Sequence, residues 1–189
     1  ADSDRLGVIW MDAHGDFNTT ETTPSGNIHG MPLAASVGLG DSSLVNCGGF
    51  SPKLSPKNLV LIGIRQLDDL ERDSLKREGV KVFSIAEVDE LGMREVIRET
   101  LEYLGEQVDR IHLSFDMDVL CPEEAPGVGT PVKGGLTYRE AHLALELLAQ
   151  SDKITSMDLV EVNPALDKKN KTAELAVELA LSALGKRIF

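Results

Sequence analysis

The sequence predicts an α/β fold built on a mainly parallel sheet, and three observations carry that prediction. Short apolar runs rich in branched residues recur along the chain, amphipathic stretches separate most of them, and two long turn-rich loops follow the ends of apolar runs. Strand, crossover helix and parallel strand in repetition give that rhythm.

The elements follow in order. Leu6 to Met11 is apolar without alternation, which reads as a strand covered on both faces, so it needs neighbours and the chain is expected to begin in the middle of a fold. The loop Asp12 to Gly30, with its Asn, Thr, Ser, Gly and Pro, leads to a helix over Met31–Val37. Ser51–Lys57 reads as a solvated surface loop before a strand over Asn58–Ile64. A helix over Asp68–Glu78, a strand over Val80–Phe83, a helix over Arg94–Leu104 and a strand over Arg110–Phe115 come next. The second long loop, Asp116 to Gly135, holds Gly127, Gly129, Gly134, Gly135 and three prolines. Thr137 followed by Glu140 is a capping-box pattern that starts a helix running to Gln150. A strand over Ile154–Val160 and a helix over Thr172–Leu184 close the chain. Loops this long inside a compact domain are usually functional, and open parallel sheets place ligands beyond the carboxyl ends of their strands.

Composition narrows the class. With 189 residues and no internal repeat, a single domain over 1–189 is expected. The net charge of −12, spread along the chain, argues against nucleic acid or an anionic membrane as partner. Cys47 and Cys121 are the only cysteines, which gives no disulfide framework and fits a reducing compartment. Without a stretch of membrane-span length or a basic-then-apolar leader, the expected location is cytoplasmic.

Asp12, His14 and Asp16 in DAHGD stand at alternate positions after the first apolar run, and Asp116 and Asp118 in SFDMD do so after another. In extended backbone such residues point to one side. Either string alone also fits an acidic loop after a strand. If the two strands are neighbours, four carboxylates and an imidazole meet, and charge repulsion demands cations or shared protons among them. Hard carboxylates with one imidazole suit manganese or magnesium better than zinc or copper.

These residues, with DAHGDFN (Asp12 to Asn18), SGNIHGMP (Ser25 to Pro32), SFDMD, GVGTPVKGGLTYRE (Gly127 to Glu140) and EVNP (Glu161 to Pro164), make the chain resemble the arginase branch of the ureohydrolase family, bacterial members especially. The resemblance implies a three-layer α/β/α fold of the arginase/deacetylase kind and two Mn(II) ions bridged by a hydroxide that hydrolyses L-arginine to L-ornithine and urea. It implies that Asp12 and Asp116 bridge both metals, that His14 and Asp118 complete one, and that Asp16 serves the other while passing a proton to the leaving amine. It also implies that Glu161 pairs with the guanidinium and that His29 shuttles protons. Asn18, Ser25 and Asn27 would bind the α-carboxylate, Asp68 the α-ammonium with Glu71 as secondary partner, and Thr130 would lie near the guanidinium. On sequence alone Asp68 also reads as a helix N-cap, His29 as a loop histidine and Glu161 as a turn residue. His112 and His142 read as structural, one in a buried strand and one on an amphipathic helix.

The family's remaining metal ligand is an upstream histidine with no counterpart here, so the chain is expected to lack N-terminal strands and one metal position is expected to be weakened or empty. Two alternatives follow: an agmatinase-type enzyme, against which the intact Asn18, Ser25 and Asn27 set argues, and a metal-binding fragment without activity. The resemblance further implies a homo-oligomer, trimer or hexamer. Cys121 and Gln66 stand where relatives commonly carry acids.

Overall fold

In the computed structural model, which describes residues 5–105 and 107–186, all the strand pairings are parallel. The strands β1 (Leu6–Met11), β2 (Leu59–Ile64), β3 (Lys81–Ser84), β4 (Arg110–Asp116) and β5 (Ile154–Val160) form one sheet in the order β3-β2-β1-β4-β5. The helices are α1 (Pro32–Ser36), α2 (Ser42–Val45), α3 (Asp69–Glu78), α4 (Ile85–Leu91), α5 (Met93–Gly105), α6 (Tyr138–Gln150) and α7 (Lys171–Ala183).

The alternation of side chains along a strand divides the core in two. Ile9, Met11, Val60 and Ile62 pack with residues of α4, α5, α6 and α7 on one face. Val8, Leu59 and Leu61 pack with Leu33 and Ala34 of α1 and Leu75 of α3 on the other. Helix, sheet and helix layers result, as expected. β1 is central and β2 is buried along its whole length.

The chain runs from β1 outward through β2 to β3, then returns to the other side of β1 to lay down β4 and β5. Connections therefore diverge at the carboxyl ends of β1 and β4, and a crevice opens between them, the topological switch point where parallel sheets bind ligands. DAHGD leaves β1 and SFDMD leaves β4, so the acidic strings flank that crevice.

The elements differ from expectation in a few places. β2 begins at Leu59 because Pro56–Asn58 form a 3₁₀ turn. α2 and α4 were not foreseen; α4 is started by a capping box in which Ser84 N donates to Glu87 Oε2 at 2.8 Å. The segment Ser51–Lys57 is not simply a solvated loop, because Leu54 is buried against Leu33 and its neighbours. His112 lies on a buried strand but is itself only partly buried: β5 is exposed along much of its length, and the His112 ring bridges Ser156 Oγ at 2.9 Å and Asp158 Oδ2 at 3.0 Å. His142, read as structural on an amphipathic helix, is buried on α6 with Nδ1 2.9 Å from Ser182 Oγ on α7. No described helix is long and apolar enough to cross a membrane.

Candidate metal and substrate cleft

A cleft of about 410 Å³ opens at the switch point, and it is lined by Asp12, His14, Asp16, Asn18, Ser25, Asn27, His29, Asp68, Glu71, Asp116, Asp118, Thr130 and Glu161. Every site residue singled out in the sequence therefore faces one cavity.

The routes by which they arrive differ from simple alternation. Asp12 follows β1 directly, its N–H donating to Ile62 O at 3.1 Å, which continues the β1–β2 ladder. Asp16 is no longer in extended backbone: its φ is 48°, a left-handed conformation uncommon for a residue with a side chain. Its carbonyl accepts from Leu33 N at 3.0 Å at the start of α1, which holds the turn. Asp116 ends β4, but Asp118 sits in a 3₁₀ turn over Met117–Val119. Asp116 Oδ1 accepts from Asp118 N at 2.7 Å, so the first aspartate caps the turn that delivers the second. Glu161 leaves β5 through another left-handed residue, φ 65°.

Asp12, His14 and Asp118 form the tightest group, with a ligand atom of each within 4.8 Å of the others. His14 Nδ1 lies 3.1 Å from Asp118 Oδ2 and 3.3 Å from Asp12 Oδ1. Each carboxylate has a second support. Trp10 Nε1 donates to Asp12 Oδ2 at 3.0 Å, Ala13 N donates to Asp118 Oδ1 at 3.2 Å, and Thr130 Oγ1 donates to Asp118 Oδ2 at 3.0 Å.

The electrostatics are those of crowded anions. Burial, then the charges of Asp12 and Asp118, push Asp116 up to about 9. Burial and the Asp12 charge push Asp16 up to about 8. Asp12 is raised too, chiefly by burial. Burial opposes a charged imidazole at His14, but hydrogen bonds to Asp118 and Asp12 outweigh it and raise its pKa to about 10; the same His14 contact holds Asp118 low against its own burial. Three buried aspartates without enough positive charge, all hard oxygen donors beside one imidazole, fit a small divalent cation of the manganese or magnesium kind.

At the cleft's outer end, Asn18 Nδ2 donates to Asp68 Oδ2 at 2.9 Å, and Asn18 Oδ1 accepts from Thr22 Oγ1 at 2.9 Å, which fixes the amide's orientation. Asp68 is the N-cap of α3, as its sequence context also implied. Ser25, Asn27 and His29 lie on the exposed part of the loop. Glu71 has different company from that expected: it is buried, and its oxygens accept from Phe17 N at 2.9 Å and Asp68 N at 3.2 Å, so it pins the first loop to α3. Thr130 likewise is engaged with Asp118.

With this geometry established, comparison with known proteins is decisive. Residues 1–185 match the arginase family. The chain belongs to the arginase family. Among arginase relatives it is 58% identical over 185 residues to the arginase of Bacillus caldovelox, covering 98% of this chain and 62% of that one. It is 60% identical over 185 residues to the arginase of Bacillus subtilis strain 168, with the same coverage. The solved native structure of the Bacillus caldovelox arginase superposes with a TM-score of 0.97 at 57% identity, over 98% of this chain and 62% of that chain. The chain thus spans less than two thirds of the length of these arginases.

Two residues that support this cleft were missed in the sequence. Trp10 stands two positions before Asp12 on one strand, the spacing that lets its indole reach the carboxylate. Arg65 directly follows the fully buried β2, and a cation at the tip of such a strand is the signal that was available.

Proposed function

We propose that this chain carries the reaction centre of a manganese-dependent hydrolase that converts L-arginine to L-ornithine and urea. The observation that carries the reading is the facing of Glu161 and the Asp12, His14, Asp16, Asp116 and Asp118 cluster across one cleft in an arginase-family chain. Asp12, His14, Asp16, Asp116 and Asp118 would hold two Mn(II) ions. When bound, such ions would lower the pKa of a coordinated water from about 15.7 toward about 7 and so supply a nucleophile at neutral pH.

The chain's own residues do the rest. Glu161 binds the planar guanidinium fork, since a carboxylate offers two acceptors that orient as well as attract. Its proximity to Asp116 across the cleft supports that placement. Asp16, which lines the cleft beside the other aspartates, takes the proton of the attacking water and delivers it to the departing amine. His29, on the exposed rim, exchanges protons with solvent. Asn18, Ser25 and Asn27 receive the α-carboxylate through neutral polar groups. Asp68 receives the α-ammonium, and Glu71 acts there by holding the Asp68 backbone. Thr130 orients Asp118 beside the guanidinium.

The reading extends to a small-molecule substrate, a cytoplasmic setting and a homo-oligomer, trimer or hexamer, which light scattering would size. Urea release from arginine and from agmatine, measured on the full-length protein with added manganese, is the direct test. Faster release from arginine is expected. Preference for agmatine would overturn the substrate, and a folded, metal-loaded protein that releases urea from neither would overturn the activity.

A further inference from the structure

The loop that bears Asp118 and Thr130 runs over the tip of β2, and the two make close contact. Gly63, at φ 92°, leaves no room for a side chain, since a Cβ there would stand 2.5 Å from Val119 Cγ2. Two residues later Arg65 turns its guanidinium into the loop. Nη2 donates to Asp118 O at 2.7 Å, Val132 O at 2.8 Å and Leu120 O at 3.2 Å. Nη1 donates to Val119 O at 3.1 Å and Gly63 O at 3.3 Å, and Nε donates to Lys133 O at 3.2 Å.

Main-chain carbonyls at the start of the loop (Asp118, Val119, Leu120) and near its end (Val132, Lys133) thus converge on one cation. Carbonyls that the 3₁₀ turn leaves without helical partners find donors there. The planar guanidinium has about five N–H donors in a fixed fork, whereas a lysine has about three on a mobile point charge, so this staple needs arginine. Between the stapled ends lie Thr130, which donates to Asp118, and Gly129, whose backbone passes so close to Glu161 that a Cβ would sit 3.3 Å from Oε2. Where the loop closes therefore sets both the Asp118 carboxylate and the space in front of Glu161.

We propose that Arg65 is a positioning residue of the metal centre: it closes the loop of residues 118–133 by gathering its carbonyls and thereby holds Asp118 and Thr130 in ligating register. The inference deepens the functional reading above and rests on it for the identity of the metal, but it concerns the loop and not the reaction.

The test is a manganese titration by calorimetry of the full-length protein and its Arg65→Met and Arg65→Lys variants. Loss of a group that orients a ligand commonly weakens metal binding about 10- to 100-fold. That weakening is expected for Arg65→Met, with an intermediate value for Arg65→Lys. Ser182→Ala, which loses the hydrogen bond to His142 in the last turns of α7, shows what a general loss of stability does to the titration, and its affinity should stay at the wild-type value. An Arg65→Met protein that binds manganese as tightly as wild type, however low its Tm, would overturn the proposal. If Arg65→Met does not fold, Arg65→Lys decides, with wild-type affinity again the overturning result. Urea release by the unmodified protein separately reports on the reaction, so failure of the arginine assignment leaves the Arg65 titration interpretable.

Discussion

Asp16 and Glu161 share a backbone feature that their neighbours in the cleft lack: both carry a side chain at positive φ, 48° and 65°. A non-glycine residue in the left-handed region costs on the order of 1–2 kcal/mol, so surrounding structure must hold it there. For Asp16 the holder is α1, through Leu33 N; for Glu161 it is the close packing of Gly129 and the Asn163 N to Gly127 O hydrogen bond at 2.7 Å. Both strained residues aim a carboxylate into the cavity. Glu161 is the sharper case, because it leaves β5 whereas the aspartates leave β1 and β4. Glu161→Gln keeps size and backbone while removing charge and one acceptor. A hydrogen bond to a charged group is worth about 1.5–3 kcal/mol, so kcat/KM for arginine should fall about 10- to 100-fold with manganese affinity unchanged. Wild-type kinetics in Glu161→Gln would remove the guanidinium contact from the account.

At the scale of elements, the site depends on how closely two strand tips and two loops approach. Gly135 shows the constraint: a Cβ there would lie 2.5 Å from the Leu120 backbone carbonyl carbon and 2.5 Å from Val119 O. Backbone cannot yield as a side-chain end does, so Gly135→Ala should lower stability by about 1–3 kcal/mol, read as a lower urea midpoint. Gly105, at the end of α5 with nothing near its missing Cβ and no positive φ, is the control. Gly105→Ala should be neutral or raise stability by about 0.5–1 kcal/mol. Equal effects at both positions would show that crowding at the loop is not what matters. The same pair marks what could be read in the sequence. Strands such as Leu6–Met11 and Leu59–Ile64 were legible because a doubly covered strand must be apolar throughout, and α6 because Thr137 and Glu140 satisfy its first amides. The ligand strings were legible because acids at strand ends need a reason. α4 was missed although Ser84 and Glu87 carry the same cap, since it is short and joins β3 without a break. The work of Arg65 and Glu71 was not legible, because a side chain bonded to distant backbone carbonyls or amides leaves no local periodicity.

For the molecule as a whole, the cleft couples stability to protons and metal. Without metal, Asp116 and Asp16 have pKa values near 9 and 8, and His14 near 10, all above their ordinary values. Each raised group binds its proton more tightly folded than unfolded, so the contribution to stability is full below the unfolded pKa and is lost as pH rises through the folded one. The carboxylates already act below pH 6.5, and the imidazole joins them in the same direction from about pH 6.5 to 9. Asp118, whose pKa is lowered, acts in the opposite sense, but its window lies below the ordinary carboxylate range and outside this interval. A divalent cation must displace the same protons to reach the oxygens and the imidazole nitrogen, so its binding is proton-linked and strengthens with pH. The metal-free protein should therefore lose Tm between pH 5 and 8.5, while the Tm gained on adding manganese grows over that range. Calorimetry at neutral pH in buffers of different ionisation enthalpy should register release of about two or more protons per site filled. A manganese-induced gain in Tm that stays constant with pH, together with heats indifferent to the buffer, would mean that these carboxylates are already ionised and held by some other charge.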